Sequence, residues 1–107
     1  MKERPIVSHS NYTLPKPVRE QCIWIIRDMN RLREVAGAEY EAPDVITARM
    51  RIAALEQSLE TIPPEYREGL LRNISGGVPF GMKASESTWL RWKQRLLYTF
   101  AMHLGLY

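Results

Sequence analysis

Basic and polar side chains recur along one face of the segment from residue 87 to residue 98, near the end of the chain. Placing residues 100° apart, as in an α-helix, separates this face from an apolar arc on the opposite side. The polar face and the loop before it supply the candidate contact residues, which are Lys83, Ser87, Arg91, Gln94, Arg95 and Tyr98. Such side chains donate to phosphates and to base edges in a major groove. The pattern predicts contact with double-stranded DNA, and an ordinary solvated helix face is the alternative.

The apolar arc of the same segment contains its tryptophans. Its members are Trp89, Trp92, Leu96, Leu97, Phe100 and Leu104, and Lys93 falls among them. Single-stranded nucleic acids bind to exposed aromatic rings. Because Trp89 and Trp92 lie on the apolar side, we expect them in the core, and single-stranded binding is not favoured.

Signatures of catalysis are missing from the sequence. The pair Gly76-Gly77 lacks the lysine and the spacing of a phosphate-binding loop. His9 and His103 lie far apart, with no cysteine or carboxylate motif beside either. The single cysteine, Cys22, has apolar neighbours at helical spacing, which indicates a buried thiol. We therefore expect no enzyme activity, no cofactor and no metal site.

Composition indicates one ordinary globular domain. The chain has 107 residues, of which 45% are hydrophobic and 25% charged, and its net charge is +3. That charge is compatible with a nucleic-acid partner without requiring one. The longest apolar run, residues 22–26, is far too short to span a membrane, and no signal peptide precedes it. These features predict a cytoplasmic protein without a membrane partner.

Apolar periodicity predicts an all-α fold, a compact bundle of about four helices with an extended N-terminal arm. The predicted arm covers residues 1–16 and the predicted helical domain residues 17–107, with helices at about 17–36, 44–62, 64–75 and 86–104. Pro17 and Pro64 suit a first helical turn, and Ser85 or Ser87 suits an N-cap.

The second predicted helix has the most regular apolar pattern. Its spacing of three and four residues defines a seam formed by Val45, Ala48, Ile52, Leu55, Leu59 and Ile62. The seam can pack against the rest of the same chain, as a domain of this size requires for its core. It can also form a homodimer. The sequence leaves both possibilities open.

Several segments together resemble a family of short helical proteins from phages and integrated elements of Gram-positive bacteria, related to the ArpU/RinA-type phage transcriptional regulators. The matching segments are LPKPVRE at 14–20, WIIRD at 24–28, IPPEYREG at 62–69, STWLRWKQR at 87–95 and LGL at 104–106. They extend over most of the chain. The resemblance implies a DNA-binding regulator of transcription.

The segment IPPEYR also resembles the beginning of sigma-factor region 4, which contains a helix-turn-helix. This resemblance implies that the helix from Ser87 is the recognition helix, with Arg91, Gln94 and Arg95 facing DNA. The connection before Ser87 is longer than the usual turn of roughly 3–4 residues. The alternative function is a small mobile-element protein that binds or inhibits a host or defence protein, without DNA binding, through the same face or the seam.

Overall fold

The computed structural model describes residues 12–107, and this range contains five α-helices and no strand. They are α1 (Lys16–Arg27), α2 (Met29–Ala36), α3 (Pro43–Leu59), α4 (Pro64–Gly76) and α5 (Glu86–His103). The predicted all-α class is confirmed for this range, whereas the predicted number of helices, about four, is one too few. Most of the predicted arm, residues 1–11, lies outside the described residues, and residues 12–15 precede α1 without helical structure.

The extra helix arises because the predicted helix 17–36 divides at Asp28. There the backbone takes φ −88° and ψ 5°. The Asp28 N–H still donates to the carbonyl oxygens of Trp24 and Ile25, at 3.0 and 3.1 Å, and its own carbonyl accepts from Leu32. The chain thus bends while these three backbone hydrogen bonds at Asp28 are kept. The bend lets α1 pack on α4 and α5 while α2 packs on α3.

The seam lies against the rest of the same chain, and its last member, Ile62, follows the end of α3 at Leu59, three residues before the predicted helix end. Val45, Ala48, Leu55 and Ile62 are buried, and Ile52 and Leu59 are half-buried. The helix contacts α2 on one side and α5 on the other. Its apolar pattern is therefore used within the chain in this fold, which is the first of the two possibilities that the sequence allowed.

Trp89 joins α5 to α4 and to the loop between them. Its indole Nε1 donates to the Gly81 carbonyl at 3.0 Å, and its ring stacks on Phe80 with centroids 5.2 Å apart. The Tyr66 ring meets it edge-on at 4.9 Å. Position 69 of α4 requires glycine, because a Cβ built on Gly69 would lie 2.6 Å from the Cη2 atom of Trp89. Trp89 is a core residue, as predicted.

The helix ends follow local sequence signals. Proline occupies an early position in α1, α3 and α4. Ser85 is the N-cap of α5, and its side-chain oxygen accepts from the Thr88 N–H. Gly77 ends α4 in the left-handed conformation, with φ 68°. Within residues 12–107, no helix combines the length and apolar character needed to cross a membrane.

Candidate nucleic-acid interface

The first half of α5 exposes a polar stripe. Ser87, Arg91 and Gln94 are exposed on one side of the helix, and Leu90 lies among them. Arg91, the one charged residue among the three, forms no ion pair with another described residue. The Ser87 hydroxyl also lies 3.1 Å from the Ser85 hydroxyl, within hydrogen-bond distance. We call Ser87, Arg91 and Gln94 the α5 stripe.

Arg95 and Tyr98 do not extend this stripe as an open surface, which corrects the predicted helix face. Both are half-buried, because the second half of α5 is covered by the chain before α1 and after α5. The Arg95 guanidinium lies 5.3 Å from the centre of the Tyr12 ring. The Tyr98 ring meets Tyr12 edge-on at 5.3 Å and Tyr107 at 5.6 Å. These two residues hold the flanking segments on α5.

Lys83 is exposed in the loop before α5, but its amine is engaged. Lys83 Nζ donates to the main-chain carbonyl of Glu65 at 2.6 Å. This contact ties the loop to the first turn of α4. The structure thus directs the Lys83 amine toward α4, whereas the sequence grouped it with the charges of α5.

A second group of positive charges lies where α1, α4 and α5 meet. It consists of Arg19, Arg27 and Lys93, which we call the basic cluster. Arg27 Nε donates to the Ile74 carbonyl at 2.9 Å, and Lys93 Nζ donates to Asn73 Oδ1 at 2.8 Å. Both cations thus lie at the C-terminal turn of α4, where the helix dipole favours positive charge.

Lys93 lies within electrostatic influence of the other two cations. Burial lowers the pKa of the Lys93 amine, and the nearby positive charges of Arg19 and Arg27 lower it further. The sequence analysis placed Lys93 in the apolar arc of this helix. In the structure the amine instead bonds to Asn73 and lies 6.0 Å from the centre of the Phe80 ring.

The basic cluster and the α5 stripe share a groove. Arg19 of α1 and Gln94 of α5 line a groove of about 310 Å³, together with Tyr12, Thr13, Leu14 and Leu97. The α5 stripe therefore meets α1 at one point, where Gln94 and Arg19 line the same groove. The sequence analysis singled out neither Arg19 nor Arg27, although their spacing of eight residues already places them on one face of a helix.

Trp24 is an exposed aromatic residue that the sequence reasoning did not weigh. Its side chain is 65% exposed, and the Arg27 guanidinium lies 5.3 Å from its ring centre. The sequence argument against single-stranded binding used only Trp89 and Trp92. Trp89 is buried and Trp92 is half-buried. Trp24 supplies an exposed ring beside the basic cluster.

The described residues contain no cluster of three or more histidine, cysteine or acidic side chains able to hold a metal ion. Cys22 is fully buried, as predicted, and burial raises the pKa of its thiol to about 11. The thiol therefore stays protonated near neutral pH. The chemistry that this surface offers is the binding of a polyanion by cations and amides held on helices.

Comparison of the chain with protein-family models, curated proteins and solved structures gives no match in any of the three.

Proposed function

We propose that the protein binds double-stranded DNA through the α5 stripe, as a transcriptional regulator of phage or mobile-element type. The observation that carries this proposal is the exposure of Ser87, Arg91 and Gln94 on the uncovered half of α5. A helix that presents arginine and amide groups together fits the hydrogen-bonding edges of a major groove. The resemblance to the ArpU/RinA-type regulators supports the regulatory role.

The three side chains have different roles in this proposal. Arg91 donates two parallel hydrogen bonds to a guanine edge or to a phosphate, and Gln94 pairs with an adenine edge. Ser87, next to the N-cap of α5, donates to a phosphate. Arg95 and Tyr98 position α5 through their contacts with Tyr12, and Lys83 fixes the preceding loop.

The test is a salt titration of binding to duplex fragments from the neighbourhood of the gene, with random duplexes as the comparison. Arg91→Ala should weaken binding to the selected site by about 1–3 kcal/mol. The control is Arg72→Ala, which removes the same charge from an exposed arginine already paired with Glu68. Absence of wild-type binding at low salt would refute the proposal. Unchanged affinity in both Arg91→Ala and Gln94→Ala would reject the α5 stripe.

A protein partner is the second candidate, and one surface of α3 favours it. Ile46 and Met50 lie one turn apart on this helix, and both are exposed, Met50 to 66%. A host protein or a second copy of the chain would bury this apolar pair, whereas most of the seam is already in the core. Retention of a specific protein after nuclease treatment, abolished by Met50→Glu, would support this candidate. Retention unaffected by Met50→Glu would reject this surface.

A further inference from the structure

We propose that the basic cluster forms a second contact with the same duplex and binds its phosphate backbone beside the α5 stripe. This inference rests on the proposed DNA binding and extends it from one helix to two. It assigns Arg19, Arg27 and Lys93 a role in affinity that does not depend on base sequence. The α5 stripe would then read bases while α1 binds the flanking strand.

The first argument is that no cation of the basic cluster forms an ion pair among the described residues. Among residues 12–107, the ion pairs are Arg31 with Asp28, Arg49 with Glu41, and Arg72 with Glu68. No member of the basic cluster takes part in them. Three like charges within mutual influence repel one another, and a bound polyanion would offset that repulsion.

The second argument is preorganisation. Only Nε of Arg27 is engaged by Ile74, and its terminal nitrogens make no hydrogen bond within the described part of the chain. Lys93 uses one of its three amine hydrogens on Asn73. Arg27 and Lys93 are thus each fixed by one bond to α4 and retain further donors for phosphate oxygens. Binding would order few additional rotamers.

The third argument is position. Arg19 and Arg27 lie eight residues apart on α1, a rise of about 12 Å at 1.5 Å per residue. A duplex carries one phosphate charge per roughly 1.7 Å of its axis, so several phosphates fall within that length. The groove shared by Arg19 and Gln94 connects this row directly to the α5 stripe. One duplex can therefore meet both surfaces.

The experiment measures the salt dependence of binding to one random and one site-containing duplex, for wild type, Arg19→Gln and Arg72→Gln. Arg19 forms no ion pair or side-chain hydrogen bond among the described residues, so its replacement should leave the fold intact, which far-ultraviolet circular dichroism checks. The slope of log K against log salt is negative, and loss of one phosphate contact reduces its magnitude by about 0.9. At 0.1 M salt this corresponds to roughly eightfold weaker binding, if the contact is purely electrostatic.

We expect Arg19→Gln to reduce the magnitude of the salt slope on both duplexes. Arg19→Gln/Lys93→Gln should reduce it further, and Arg72→Gln should leave it unchanged. Wild-type binding with an unchanged slope in both cluster variants would overturn this inference and leave the proposed DNA binding intact. An equal decrease in Arg72→Gln would also overturn it, because net charge alone would then explain the effect. Absence of duplex binding by the wild type would refute both proposals. They would also be refuted if the wild type bound vesicles of anionic lipid but no duplex.

Discussion

Substitution of Gly69 by alanine tests whether the packing of Trp89 determines stability. In most helices this change stabilises by about 1 kcal/mol, because glycine has the greater freedom to lose on folding. Here the new Cβ would lie 2.6 Å from Cη2 and 2.9 Å from Cζ3 of Trp89, whereas ordinary contacts begin at 3.4 Å. The indole is 2% exposed. It cannot retreat without disturbing its partners.

The expected result is a loss of stability in spite of the better helix former. Overpacking of a core costs about 1–3 kcal/mol, so after the helical gain we expect Gly69→Ala to destabilise by about 0–2 kcal/mol. Gly76→Ala on the same helix is the matched control, since its Cβ would meet only Val78 at 3.8 Å. That variant should be unchanged or more stable by up to about 1 kcal/mol.

Urea unfolding followed by circular dichroism measures both variants, and a double-mutant cycle with Trp89→Phe identifies the cause. Phenylalanine lacks the outer atoms of the indole, so Gly69→Ala should cost less in that background. Two results would refute the reasoning. One is a Gly69→Ala protein that gains as much stability as Gly76→Ala. The other is a Gly69→Ala effect that is the same with Trp or Phe at position 89.

Three further predictions concern a cap, a thiol and an exposed ring. Ser85→Ala should cost about 1 kcal/mol in urea unfolding, because the Thr88 N–H loses its acceptor; an unchanged midpoint would contradict this role. The raised pKa of Cys22, from 9.0 to about 11, favours the protonated folded state. Its contribution is present below pH 9 and is lost as pH rises through 11, so stability should fall between pH 8 and pH 10 by less in Cys22→Ala than in the wild type; equal falls would contradict it. Trp24→Ala should change the unfolding free energy by less than about 0.5 kcal/mol, since Trp24 is 65% exposed; a large loss would show that the ring packs in solution.

The fold class followed from apolar periodicity, but the number of helices did not. The stripe through Ile25, Ile26, Met29 and Leu32 continues across Asp28, so periodicity alone predicts one helix. No proline or glycine marks the bend. The division depends on which neighbours each half packs against, and that is information from the tertiary structure. The N-cap of α5 was more predictable, since Ser85 acts through its own side chain and the adjacent turn.

The candidate site was predictable in part, for a similar reason. Helical phase correctly separates exposed Arg91 and Gln94 from buried Trp89 and Leu96. Helical phase wrongly predicts an open surface at Arg95. Phase describes only the helix itself, whereas segments distant in sequence cover the second half of α5. The proximity of Arg19 to Lys93 is likewise invisible in the sequence, because the two residues belong to different helices.

The bend at Asp28 also determines how far a change of helical register would spread. In one continuous helix, an inserted residue would turn every later side chain by about 100° and misplace the whole apolar face beyond it. With two helices joined by a single residue, α1 keeps its own contacts with α4 and α5, and α2 keeps its own with α3. Length variation at this joint would therefore be absorbed locally. An insertion in the middle of α3, which has no such joint, would disrupt its packing on both neighbours.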